Sequence, residues 1–119
     1  MKGIAACVVA LILAALMALR ADASPTQTER LIYQRFGFGW TGRTMVCIAR
    51  RESHLNPSAI NWRDQHANGR GSFGLFQIGR IHVGMVGGDW RRLLDPVTNI
   101  NVAYRLYRSS GLRPWGGGC

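Results

Sequence analysis

The sequence predicts a mostly α-helical domain with at most a minimal β-hairpin and one disulfide. Three observations lead there. Three segments carry helical signals, with recognisable starts and stops. The one candidate for β structure is residues 58–73, polar and glycine-marked, which read as a loop or small hairpin. Two cysteines, Cys47 and Cys119, remain once an N-terminal leader is set aside. At 119 residues the chain has room for one domain.

The leader is read first because it changes every later count. Lys2 supplies the charge that opens a signal sequence, and Ile4 to Leu19 is almost unbroken apolar sequence. Ala21, Asp22 and Ala23 give the small-x-small pattern of a signal-peptidase site. Residues 1–23 are therefore expected to be a signal peptide, with an uncleaved membrane anchor as the alternative. Residues 24–119 are expected to be the folded domain. Removing 23 of the 119 residues leaves 96, enough for one small core.

Cys7 departs with the leader. An even pair in a chain bound for an oxidising compartment reads as one disulfide, with two free thiols as the alternative. The loop it closes spans about 70 residues and contributes ~4 kcal/mol in the chain-entropy view. Two cysteines and the scattered His54, His66 and His82 show no metal-ligand spacing, so no metal or other cofactor is expected.

The elements follow in order. Residues 24–27 read as a flexible lead. Thr28 to Phe36 reads as a first helix with Leu31, Ile32 and Phe36 on one stripe. Gly37 and Gly39 break it. Thr41 is the expected N-cap of a second helix that runs to about Ser53, and the Asn56-Pro57 step ends it. After the 58–73 segment, Gly74 to Ile78 is apolar and is expected to be a short helix. Gly84 to Asp89 reads as loop, and Trp90 to Leu94 as one helical turn. Asp95 and Pro96 form a strong helix start. Val97, Ile100, Tyr104 and Tyr107 then share one face of a helix that stops at Gly111. Arg113 to Cys119 is an irregular tail that Cys119 could tie back.

The charge is strongly basic: fourteen of fifteen cationic residues are Arg. Beyond the leader, thirteen Arg face five carboxylates, a balance of +8. Such a cation is drawn to polyanions, whether cell-wall polymers, anionic membranes or nucleic acid. No basic run exceeds two residues, so the charge is a distributed field and not a binding tail. A nucleic-acid partner is not expected, because no basic motif with interleaved aromatics and no metal cluster accompanies the charge.

Chemistry must come from few groups. The five carboxylates are Glu29, Glu52, Asp64, Asp89 and Asp95. Asp95 is occupied as a cap, and Glu29 sits in a first turn where the dipole favours it. Glu52 stands apart. It continues the apolar stripe of Met45, Ile48 and Ala49 at spacings of three and four, so it faces inward. Partial burial and the negative end of the helix both disfavour its charged form. That is the setting of a general acid. The alternative is a salt bridge to one of the arginines. No Ser or Cys has a nucleophile's setting near a His.

Residues 47–107 as a set resemble the lysozyme-like superfamily, most closely its soluble lytic transglycosylase and goose-type lysozyme branch. The matching pieces stand in the family's order. Glu52-Ser53 is followed by Asn56, Pro57, Ser58 and Ala59. Next come Gly71, Ser72, Phe73, Gly74, Leu75, Phe76, Gln77 and Ile78, similar to the family's G-L-x-Q-I segment. Last are Asp95, Pro96, Asn99 and Ile100, leading into Ala103 and Tyr104. The ending, Pro114 to Cys119, resembles short actinobacterial or phage relatives, and the later A-Y-N-x-G segment of many transglycosylases is absent.

The resemblance implies a secreted, periplasmic or wall-associated enzyme acting on peptidoglycan glycan strands. A monomer without stable membrane insertion is expected. Glu52 would protonate the oxygen between N-acetylmuramic acid and N-acetylglucosamine. Ser53, Ser72, Gly74 and Gln77 would support the acid or line the sugar cleft, and Asn99 and Tyr104 would form its far wall. Asp64 is the candidate second carboxylate, with a solvated loop residue as the alternative. One acid serves two outcomes: a lysozyme adds water, usually with a second carboxylate, whereas a lytic transglycosylase forms a 1,6-anhydro end without one. A non-catalytic cationic wall or membrane binder on the same scaffold is the rival reading.

Overall fold

A computed structural model describes residues 25–119. The signal-peptide assignment, with Cys7, lies outside them. Among the described residues no helix is long and apolar enough to cross a membrane.

Helix α1 spans Gln27–Phe36. It starts earlier than predicted because Thr26 and Glu29 form a reciprocal capping box. The Thr26 hydroxyl oxygen accepts from the Glu29 N–H at 3.2 Å, and Glu29 Oε2 accepts from the Thr26 N–H at 2.9 Å. Helix α2 spans Trp40–Ser53. Its N-cap is Gly39, not Thr41, and it has no side-chain cap bond. The corner between the two helices is too tight for a side chain at position 42. A Cβ there would sit 1.7 Å from the Gly37 carbonyl oxygen. Helix α2 ends in two successive left-handed residues, His54 (φ 54°) and Leu55 (φ 60°). Neither is glycine, so each stores strain on the order of 1–3 kcal/mol, just beyond Glu52.

Residues 60–79 form a three-stranded antiparallel sheet, more than the single hairpin expected. Strands β1 (Ile60–His66), β2 (Gly69–Phe73) and β3 (Ile78–Gly79) pair in sequence order. Ile60 pairs with Phe73 and Asn61 with Ser72, then Gln65 with Arg70 and His66 with Gly69. Between Asn61 and Gln65 the ladder slips, so residues 62–64 bulge opposite Gly71. The expected helix over Gly74–Ile78 is instead a tight turn leading into β3. Gly74 (φ 76°) and Gln77 (φ 48°) are left-handed, which a helix excludes.

Three 3₁₀ helices punctuate the rest: η1 (Arg80–Val86), η2 (Trp90–Leu94) and η3 (Arg113–Trp115). The first takes up part of the predicted 84–89 loop. Helix α3 (Pro96–Ser110) starts as predicted: Asp95 accepts from the Thr98 N–H at 2.9 Å, and Pro96 opens the first turn. Its core face is Asn99, Ile100, Val102 and Ala103; Val97, placed on that face from the sequence, is exposed. Tyr104 and Tyr107 pack edge-on against Phe36 of α1. The disulfide Cys47–Cys119 is formed and returns the tail to α2.

The core joins Ile32, Met45, Ile48 and Ala49 to Phe73, Leu75, Phe76, Leu93 and Ala103. One polar side chain is fully enclosed in it. Asn99 donates through Nδ2 to the carbonyls of Phe73 and Leu93, both at 2.8 Å, and its Oδ1 accepts from the Phe76 N–H at 3.0 Å. Asn99→Ala orphans three buried backbone groups. It is expected to cost about 3 to 5 kcal/mol, read as a lower midpoint in urea unfolding.

Candidate active site

Glu52 lies in the last turn of α2, with its side chain 28% exposed. Inward placement follows from the stripe it continues; partial exposure follows from its position at the helix end. It opens onto a cleft of about 240 Å³. To that cleft the sheet contributes Asp64 and His66 from β1 and Ser72 from β2. Gln77, Ile78 and Gly79 line it from the turn and β3, and His82 from η1. Leu106 of α3 and Pro114 and Trp115 of the tail complete it. The volume is below that of pockets enclosing a small ligand, roughly 300–1,000 Å³. It suits a groove that grips part of a polymer.

Four of the residues singled out in the sequence meet here: Glu52, Asp64, Ser72 and Gln77. Glu52 Oε1 lies 3.2 Å from Arg51 Nη2, so the arginine contact is real, but a cleft stands beside it. Asp64 sits on the β1 bulge, exposed, and accepts from Asn61 Nδ2 at 3.2 Å. Gln77 donates both ways through Nε2, to Gly74 O at 3.0 Å and Ala59 O at 3.2 Å. Its amide orientation is thereby set, and Oε1 is left as its acceptor for a cleft occupant.

Four others are elsewhere. Ser53 is buried, and its hydroxyl bridges the Ala49 and Leu75 carbonyls at 2.9 and 2.8 Å, which docks α2 on the turn. Gly74 is required by packing: a Cβ would sit 2.3 Å from both Asn99 Nδ2 and Leu93 O. Asn99 is locked in the core, as described above. Tyr104 packs against Phe36, with the Arg35 guanidinium 4.1 Å from its ring centre.

Two cleft residues, His66 and His82, were not among the predicted site residues. The signal was available once β1 was recognised, since alternation places Asp64 and His66 on one side of the strand. The His66 ring lies on the Gly79 backbone, where an added Cβ would sit 2.4 Å from Cε1. Its Nε2 is 3.4 Å from Ser72 Oγ. Gly79 has an ordinary φ of −68°, so the ring, not the backbone angle, demands the glycine. Burial, followed by repulsion from His66, holds the His82 imidazole below its usual titration range. Among the described residues no cluster of three or more His, Cys, Asp or Glu could hold a metal ion.

Residues 34–117 match the family model of the lysozyme-like domain. The chain belongs to that family. No curated protein and no solved structure gives a match. Membership in the lysozyme-like family points to peptidoglycan cleavage in general, by an enzyme of the glycosidase or lytic transglycosylase type.

The lowered His82 value makes stability pH-dependent. The unfolded chain takes up this proton first, so the contribution is intact above about pH 6.5 and declines as the pH falls below it. His82→Gln is expected to flatten that part of the curve, measured as unfolding midpoints between pH 7.5 and pH 5.

Proposed function

We propose that this lysozyme-like domain cuts the β-1,4 bond between N-acetylmuramic acid and N-acetylglucosamine, with Glu52 as the general acid. The observation that carries the reading is a single half-buried carboxyl at a helix end, opening onto a polar cleft. Arg51 touches Oε1, which leaves Oε2 to carry the proton to the bridging oxygen. As the C1–O bond breaks, positive charge develops on the sugar ring, and the two carboxyls of the cleft, Glu52 and Asp64, are suited to oppose it. Gln77 Oε1 offers an acceptor to a sugar hydroxyl or acetamido N–H. Ser72, nearly buried beside His66, shapes the same wall.

Between the two outcomes we favour the lytic transglycosylase. Asp64 is exposed on a bulge and bonded to Asn61, a poor setting for a group that must aim a water. Glu52 alone can serve twice, giving its proton to the leaving oxygen and then accepting one from the muramic 6-hydroxyl as that oxygen bonds C1. Export by residues 1–23 and action at the wall as a monomer complete the reading. Thirteen arginines keep the rival alive, a cationic binder that perturbs walls or membranes by charge.

Glu52→Gln separates the two. It is expected to lower release of glycan fragments from purified peptidoglycan by ~10²–10⁴-fold, the usual worth of a positioned acid. Lysis equal to the parent's would make charge the mechanism. Chromatography of the parent's digest is expected to show 1,6-anhydro ends. Reducing ends, with a loss in Asp64→Asn comparable to that in Glu52→Gln, would assign a lysozyme.

A further inference from the structure

Arg51 and Glu52 are neighbours in sequence, and on a helix such side chains diverge by about 100°. Their contact therefore needs something to draw the arginine across. The C-terminal tail does so. Arg51 Nη1 donates to the Gly118 carbonyl at 2.9 Å, and Nη2 donates to the Trp115 carbonyl at 2.8 Å. The same Nη2 reaches Glu52 Oε1 at 3.2 Å. One planar fork thus serves two tail carbonyls and the carboxyl in the cleft, a task that suits guanidinium.

The tail has its own fastenings. The Trp115 indole donates to the Phe76 carbonyl at 3.0 Å, and Pro114 and Trp115 line the cleft. Beyond them come Gly116, Gly117 and Gly118, a run with no side chains and the greatest conformational freedom to lose. What ends that run is Cys119, bonded to Cys47. Cys47 lies four residues before Arg51, on the same face of α2. The disulfide and the arginine fork therefore hold the tail along one stripe of one helix.

We propose that Arg51 is a positioning residue for Glu52, and that the Cys47–Cys119 disulfide sustains that position by holding the Gly118 carbonyl within reach of the guanidinium. This rests on Glu52 being the acid. Cys119 is exposed, so a small dithiol can reach the bond. Exchange with dithiothreitol leaves Cys47 and Cys119 as thiols and the reagent as a cyclic disulfide. The glycine run then loses its anchor and Nη1 loses its acceptor, so the fork keeps only the Trp115 carbonyl through Nη2 and can turn about that one bond. Oε1 is then no longer held as the cleft requires. Export to an oxidising compartment would complete the acid as well as the fold.

The test compares initial rates on purified peptidoglycan for the parent and Arg51→Met, each oxidised and after dithiothreitol, across a pH series. Glu52 shares the cleft with Asp64, His66 and His82 as well as touching Arg51. Loss of the arginine is therefore expected to displace the pH–rate profile as well as lower it. The expected fall in maximal rate is ~10- to 100-fold, as for a small misplacement of a reacting group, with half-saturation little changed. Reduction of the parent should reproduce it, and the two together should be no worse than the greater alone, since they act through one linkage. Losses that multiply, or an oxidised Arg51→Met with the parent's rate and profile, overturn the proposal. If circular dichroism shows that reduction unfolds the chain, the oxidised variant decides alone. An inactive oxidised parent, or Glu52→Gln as active as the parent, defeats the enzymatic reading itself.

Discussion

The backbone from Phe73 to Gln77 leaves β2, turns without a regular ladder of its own and brings Gln77 to the cleft. Its buried polar groups depend on side chains sent from three other parts of the fold. Ser53 of α2 reaches the Leu75 carbonyl. Asn99 of α3 takes the Phe73 carbonyl and the Phe76 N–H. Trp115 of the tail takes the Phe76 carbonyl. An unpaired buried group costs about 1–3 kcal/mol, so the turn cannot relax without all three. Because Ser53 adjoins Glu52, the bond that satisfies the Leu75 carbonyl also ties the end of α2, with Glu52, to this turn.

This dependence explains which parts of the molecule are legible in the sequence. Helix ends are local events, so the Asp95-Pro96 start and the Asn56-Pro57 stop could be read directly. The turn after β2 could not. Leu75, Phe76 and Ile78 form an apolar run that periodicity cannot distinguish from a buried helix. What makes it a turn is left-handed backbone at Gly74 and Gln77, with partners 22 to 39 residues away. Strand β1 was legible only as one arm of a possible hairpin over residues 58–73, for the opposite reason. Its residues are mostly exposed, and its pairing with β2, not an alternating apolar pattern, holds it in place.

The same distinction runs through the site. Glu52 was legible because it interrupts an apolar stripe, and Gln77 because it stands inside a patterned segment. Ser53, Gly74 and Asn99 belong to that segment or flank its partners, yet they serve the turn after β2 and do not line the cleft. A motif marks residues that a site depends on without distinguishing contact from support. His66 and His82 belong to no matched segment and became visible only when strand and 3₁₀ helix brought them to one cleft.

The arginine bias also acquires a physical use. The described residues form short strands, three 3₁₀ helices and many loops, so numerous carbonyls lie outside regular ladders. Arginine forks accept that work: Arg30 serves Pro25, Arg51 serves Trp115 and Gly118, Arg80 serves Arg70, and Arg92 serves Val86. A lysine offers one compact charge at each such place and lacks the two separated nitrogens with which Arg51 reaches two carbonyls and a carboxylate. Part of what reads in the sequence as a field for attracting polyanions is therefore internal scaffolding. Only arginines with free forks remain to draw the protein toward an anionic wall, while Glu52 and Asp64 keep the cleft itself from sharing the sign of the surface.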